Sequence, residues 1–105
     1  MNKELKYIAD HFGPERQRAK ASEEHGEAKE AIDEYRHALK HEDDPLELAY
    51  YRERMIEELA DAEITRIQVI YHEGAEEEFE EMLKKKIKRT IQRIEDNYYG
   101  NDEDA

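Results

Sequence analysis

Apolar residues recur along this chain at spacings of three and four, the period of an amphipathic helix, and show no strand-like alternation. Leu5, Ile8 and Phe12 mark a short first helix over about residues 3–12. Gly13-Pro14 stops it and starts the next, because proline suits the first turn of a helix. The second helix is predicted from about Pro14 to His41, with Ala28, Ala31, Ile32, Tyr35 and Leu39 along one side. Asp44-Pro45-Leu46-Glu47 reads as a third start, with a capping aspartate, proline at the first position and glutamate three residues after the cap. This helix continues to about Tyr71, with Ile56, Ala60, Ile67 and Ile70 as its apolar stripe. His72-Glu73-Gly74 breaks the chain, and a fourth helix spans about Ala75 to Tyr98. Its early turns are rich in glutamate, and its later turns carry Lys84, Lys85, Lys86, Lys88, Arg89 and Arg93. That order matches the helix macrodipole and places Glu80 and Glu81 four residues before Lys84 and Lys85. The expectation is an all-α chain with one domain over residues 1–99 and a disordered acidic tail, Gly100 to Ala105.

Composition tests that picture. Of the 105 residues 44% are charged and 37% hydrophobic, with a formal net charge of -12, a balance that in an aperiodic chain would mean disorder. The helical periodicity argues for folding, and so small a chain commonly supplements a thin core with a partner subunit. The acidic balance excludes the basic footprint that nucleic acid requires, and suits a protein that holds divalent cations. There is no cysteine, hence no disulfide or thiolate metal site, and a reducing cytosol is the natural setting. The longest apolar run, Leu48-Ala49-Tyr50-Tyr51, falls far short of the roughly 20 residues of a membrane span. No signal-peptide core follows Met1. A cytoplasmic protein without a membrane partner is expected.

Two of the predicted helices carry an acid, two intervening residues and another acid: Glu24-His25-Gly26-Glu27 and Glu58-Leu59-Ala60-Asp61. Positions three apart share a helix face, so two such helices side by side would gather four carboxylates. A cluster of that kind repels itself unless cations neutralise it, and hard oxygen ligands favour magnesium or manganese. The spacing alone is weak, because Glu27/Glu30, Glu30/Asp33, Glu73/Glu76 and Glu77/Glu80 share it and a solvated acidic face explains any single pair. Context separates the two candidates. Glu58 and Asp61 are interleaved with Leu59, Ala60 and Ala62, and Gly26 sits mid-helix, where it costs roughly 1 kcal/mol relative to alanine. So costly a glycine points to the close approach of a neighbour or ligand.

The stretch His11 to Ile32, HFGPERQRAKASEEHGEAKEAI, resembles the opening of MazG-like all-alpha nucleoside triphosphate pyrophosphohydrolases. That opening reads aromatic-Gly-x-Glu-x-Gln, followed by a Glu-Glu-x-x-Glu helix. Met55 to Ile64, MIEELADAEI, is similar to the family's second Glu-x-x-Asp helix, and Lys84 to Asp96 looks like the basic closing helix of its small stand-alone members. The order holds across residues 5–96. The resemblance implies a four-helix bundle-like fold, and the several apolar stripes of a chain with 37% hydrophobic residues predict its completion by assembly into a homodimer or homotetramer. The resemblance also implies Mg2+, or Mn2+, held by Glu24, Glu27, Glu58 and Asp61, and hydrolysis of a nucleoside triphosphate to monophosphate and pyrophosphate. Gln17 would lie near the base or sugar. Lys86, Arg89 and Arg93, at i, i+3 and i+7 on one helix face, would steady the pyrophosphate. Glu24 or Glu27 would act as general base. The chain departs from the family pattern in a long interval between the acidic motifs and in Glu63, which stands where an apolar residue is usual.

Other chemistries fit less well. A di-iron bundle needs Glu-x-x-His on two helices, and only Glu34 to His37 supplies it. His37 and His41 could chelate a transition metal but read more simply as exposed polar residues. The rival reading is a non-enzymatic acidic helical interaction module or nucleotide-binding adaptor, which explains the charge but not the three ordered motifs.

Overall fold

Asn2 begins the first helix, its Oδ1 accepting the Leu5 backbone N–H at 2.8 Å, as short polar side chains do at helix starts. In this computed structural model, which describes residues 1–97, that helix, α1, spans Lys3–His41. It is two helical segments joined at Gly13, whose φ of 82° and ψ of 168° lie outside any helical region. Both residues of the expected break contribute. Glycine alone adopts that backbone cheaply, and Pro14 disfavours a helical conformation in the residue before it. At the other end Glu42 leaves the helix, and its Oε1 accepts the backbone N–H groups of Asp43 and Asp44.

The second helix, α2, spans Pro45–Glu73. Asp44 caps it as expected, accepting the Leu46 N–H at 2.9 Å, with Pro45 in the first turn. Gly74 ends it in a left-handed conformation, φ 60° and ψ 33°, and donates its N–H to Tyr71 O, a common glycine stop. The third helix, α3, spans Glu76–Glu95. Among the described residues there is no strand, and no helix is long and apolar enough to cross a membrane. Tyr98 and the tail expected from Gly100 lie outside the described residues.

The chain divides into two compact units, Met1–Gly74 and one that begins at Ala75. In the first, the α1 segment after Gly13 packs antiparallel to α2. Arg18, shortly after the Gly13 break, pairs with Glu73 at the end of α2 at 3.2 Å, and Glu34 pairs with Arg54 at 3.2 Å. Tyr71 donates its hydroxyl hydrogen to Asp10 at 2.7 Å, and Gln68 reaches Leu5 O. The seam between them is made of small and polar residues. Gln17, Glu24, Ala31 and Ala38 are buried at intervals of seven along α1 with Ala28 beside them, and α2 answers with Ala62, Thr65 and Gln68. Alanine lets two helix backbones approach closely, at the cost of little apolar area removed from water.

This seam is not the stripe that periodicity predicts for α2. Ile56 and Ala60 of that stripe are exposed, and Ile67 and Ile70 only half-buried. Leu59 and Ile64 are exposed as well. The helix carries aliphatic residues on more than one side, and its smaller ones face α1. In the second unit, Met82, Leu83, Ile87, Ile91 and Ile94 fall on one face of α3 at helical spacing and are all exposed.

Candidate functional site

Glu24 stands on the α1 face that meets α2, one turn before Ala28, and is only 6% exposed. Glu27, three residues on, shares that side of the helix and is half-buried, as is Glu58 across the seam on α2. One carboxylate oxygen from each lies within 4.8 Å of the other two. Three of the four motif carboxylates are therefore brought together at the packed interface of two helices. The fourth, Asp61, is exposed and lies outside this group, but it lines the same cavity as Glu24.

The group is electrostatically unbalanced. Lys20 pairs with Glu24 Oε1 at 2.9 Å. The second oxygens of Glu24 and Glu58 are buried with no hydrogen-bond partner. The Glu27 carboxyl is pushed above its ordinary value, first by the negative charge of Glu24, then by burial, then by the charge and hydrogen bond of Glu58. The Lys20 ammonium is held above its ordinary value, chiefly by its hydrogen bond to Glu24. Unpaired buried carboxylate oxygens are costly. The donor set could hold one hard divalent cation, for which carboxylate oxygens are the normal ligands. Both orphaned oxygens and the mutual repulsion fit such an ion.

Glu24 also borders a cavity of about 520 Å³ between α1 and α2, lined by apolar Ile8, Phe12 and Ile64 and by Arg16, Gln17 and Lys20. Asp61, Thr65 and Gln68 complete its wall. The Arg16 guanidinium stacks 4.9 Å from the centre of the Phe12 ring. Gln17, expected near a base or sugar, is 3% exposed, and its Oε1 is buried and unpartnered. Arg16 and Lys20 were not singled out by their sequence context. The signal is there nonetheless: Arg16, Lys20 and Glu24 follow one another at intervals of four after the Gly13 break, one face of a helix.

The other expectations fare differently. Lys86, Arg89 and Arg93 lie on α3 in the second unit, the first two exposed and Arg93 half-buried. Gly26 faces open space, and a Cβ there would meet nothing within 4 Å, so close approach within this chain does not explain it. Glu63 turns to Arg66, which it binds at 2.7 and 2.8 Å, and its carboxyl is held below its ordinary value chiefly by that bond. His25 sets its Nδ1 2.8 Å from Ala21 O and is not one of the clustered groups. The His37 and His41 rings lie 4.3 Å apart beside Tyr50 and Tyr51, in a separate hollow toward the far end of the helix pair.

Comparison with known proteins gives no matching family model, and no significant match to a curated protein or a solved structure.

Proposed function

We propose that the protein is a MazG-like pyrophosphohydrolase that converts a nucleoside triphosphate to its monophosphate and pyrophosphate. One observation carries the reading. Carboxylates from both acidic motifs converge on one point, with two buried, unpartnered oxygens, and Glu24 joins that point to a cavity with an apolar wall and two cations.

Glu24, Glu27 and Glu58 would hold magnesium or manganese, with Asp61 available from the cavity side. The ion would lower the pKa of a coordinated water and polarise the α-phosphoryl group. Glu27, less buried than Glu24, is placed to take the proton of an attacking water. Arg16 and Lys20 line the cavity at one-turn spacing and offer charge-assisted hydrogen bonds to phosphate oxygens. Ile8, Phe12 and Ile64 give an apolar bed for a base. The reading does not require Lys86, Arg89 or Arg93. The exposed Ile56 and Leu59 of α2 and the apolar face of α3 support assembly as a homodimer or homotetramer. A four-helix bundle-like core would form in that assembly. Its substrate pool places the enzyme in the cytoplasm.

The test is release of pyrophosphate from a panel of ribo- and deoxynucleoside triphosphates with magnesium. At least one is expected to yield monophosphate and pyrophosphate, and Glu58→Gln to slow this by orders of magnitude with helical content intact. No turnover of any of them, or diphosphate and orthophosphate as products, would sink the reading.

A further inference from the structure

None of the 20 residues of α3 is buried. A lone helix of that length is marginal in water, and most helical stability in proteins comes from covering an apolar face. Such a face is present: Met82, Leu83, Ile87, Ile91 and Ile94 form one exposed stripe. The charges along the same helix are segregated. Five glutamates lie between Glu76 and Glu81 with no cation among them, and five cations lie between Lys84 and Arg89 with no acid. Helical spacing sets Glu77, Glu80, Lys84 and Lys88 along one border of the stripe, and Glu78, Lys85 and Arg89 along the other.

We infer that α3 is an interaction surface whose partner is the α3 of a second copy of this chain, packed antiparallel. The charges choose both the partner and its direction. In an antiparallel pair each border of the stripe meets its own counterpart reversed, and residues flanking the seam form the interhelical ion pairs. One register then sets Glu77 opposite the partner's Lys88 and Glu80 opposite the partner's Lys84. The same register lays Leu83 against the partner's Leu83, on the two-fold axis of a closed, self-complementary contact. In a parallel pair the opposite borders meet instead, glutamate beside glutamate and lysine beside lysine or arginine, and like charges so placed repel. A lipid surface could take the apolar stripe, but anionic headgroups repel the glutamate half. Neither the metal site nor the hydrolase reading enters into this assembly.

The experiment is sedimentation of the full chain at micromolar concentration, in EDTA and low salt. The parent is expected to be an oligomer, and Ile87→Asp to halve its mass while the helices of the first unit persist by circular dichroism. Two charge variants test the direction. One carries Glu77→Lys with Glu80→Lys, the other Lys84→Glu with Lys88→Glu. Each alone sets like charges along one border and is expected to show the same halved mass. An equimolar mixture of the two is expected to regain the parent's mass as a mixed pair, which also shows that neither variant has simply lost its fold. Antiparallel pairing alone gives this rescue, because only there does the altered border meet itself. A monomeric parent, an Ile87→Asp variant that associates like the parent, or a mixture that stays dissociated overturns the inference. So does a monomer that sediments with phosphatidylglycerol vesicles, which would make α3 a membrane-surface helix.

Discussion

Glu58→Gln isolates the electrostatics of the carboxylate group. In the metal-free protein Glu58 faces Glu24 and Glu27 with one oxygen buried and unpartnered. The amide replaces a repelling oxygen by an N–H that can donate to a neighbouring carboxylate, and hydrogen bonds to charged groups contribute about 1.5–3 kcal/mol. The parent gains stability instead from the ion. Magnesium binds the folded site and hardly the unfolded chain, which at 100 times Kd stabilises by about 2.7 kcal/mol. For a domain of this size each kcal/mol moves Tm by about 4–8 °C, so saturating magnesium should raise the parent's Tm by roughly 10–20 °C. The assay is thermal unfolding followed by circular dichroism in EDTA, in magnesium chloride and in sodium chloride of matched ionic strength. Glu58→Gln is expected to melt above the parent in EDTA and to lose most of the magnesium response. The two effects come from one cluster and must appear together. A variant that melts lower in EDTA and responds to magnesium as the parent does would show that Glu58 is not part of a cation site.

Gly26→Ala should stabilise the protein by roughly 1 kcal/mol, because the position is helical and a Cβ meets nothing there; a loss of stability in chemical denaturation would mean the glycine serves a contact outside this chain. Lys20→Met should lower Tm, since it strips a cation from the buried Glu24 carboxylate, and should raise KM for the triphosphate; an unchanged KM would exclude Lys20 from phosphate binding. The raised Glu27 carboxyl means the folded state holds that proton more tightly than the unfolded chain. Its contribution therefore favours folding at low pH and is lost as pH rises from about 4.5 through the raised value. Asp10, Asp33 and Glu63, held below their ordinary values, act oppositely, losing stability only as pH falls below about 3.8 to 4.5. In EDTA, Tm of the parent relative to Glu27→Gln should fall as pH rises above about 4.5; parallel curves would contradict the shared site.

Helix boundaries were legible because they are set by local chemistry. Asp44-Pro45, Gly74 and the pair Gly13-Pro14 each act within a few bonds of backbone, and each does in the fold what its residue type dictates. The buried face of α2 was not legible in the same way. Hydrophobic periodicity ranks positions by apolar size, whereas close helix packing ranks them by how little they obstruct. Ala62 and Thr65 win the seam over Ile56 and Leu59 on that criterion, and the larger aliphatics are left at the surface. A chain with alanine and aliphatic stripes on one helix therefore carries two candidate faces. Size-weighted periodicity names the one with more apolar area, and that area goes unused within the monomer.

The site divides along the same line. Glu24 and Glu27 are joined by a helical turn, so their proximity follows from spacing alone. Glu58 comes to them only because α1 and α2 run antiparallel in one register, with Arg18 to Glu73 and Glu34 to Arg54 as ties. The acidic motif on α2 gave the residue types but not the rotation of the helix, and that rotation decides between its members. It turns Glu58 toward the seam and leaves Asp61 one turn on, at the cavity edge. The cavity cations were hidden for a different reason. In a chain with 17 lysines and arginines, Arg16 and Lys20 look like any solubilising pair. What distinguishes them is the company of Phe12, Gln17 and Glu24 on one wall. A cation beside a buried, unpartnered amide oxygen and an aromatic ring has a ligand's outline around it.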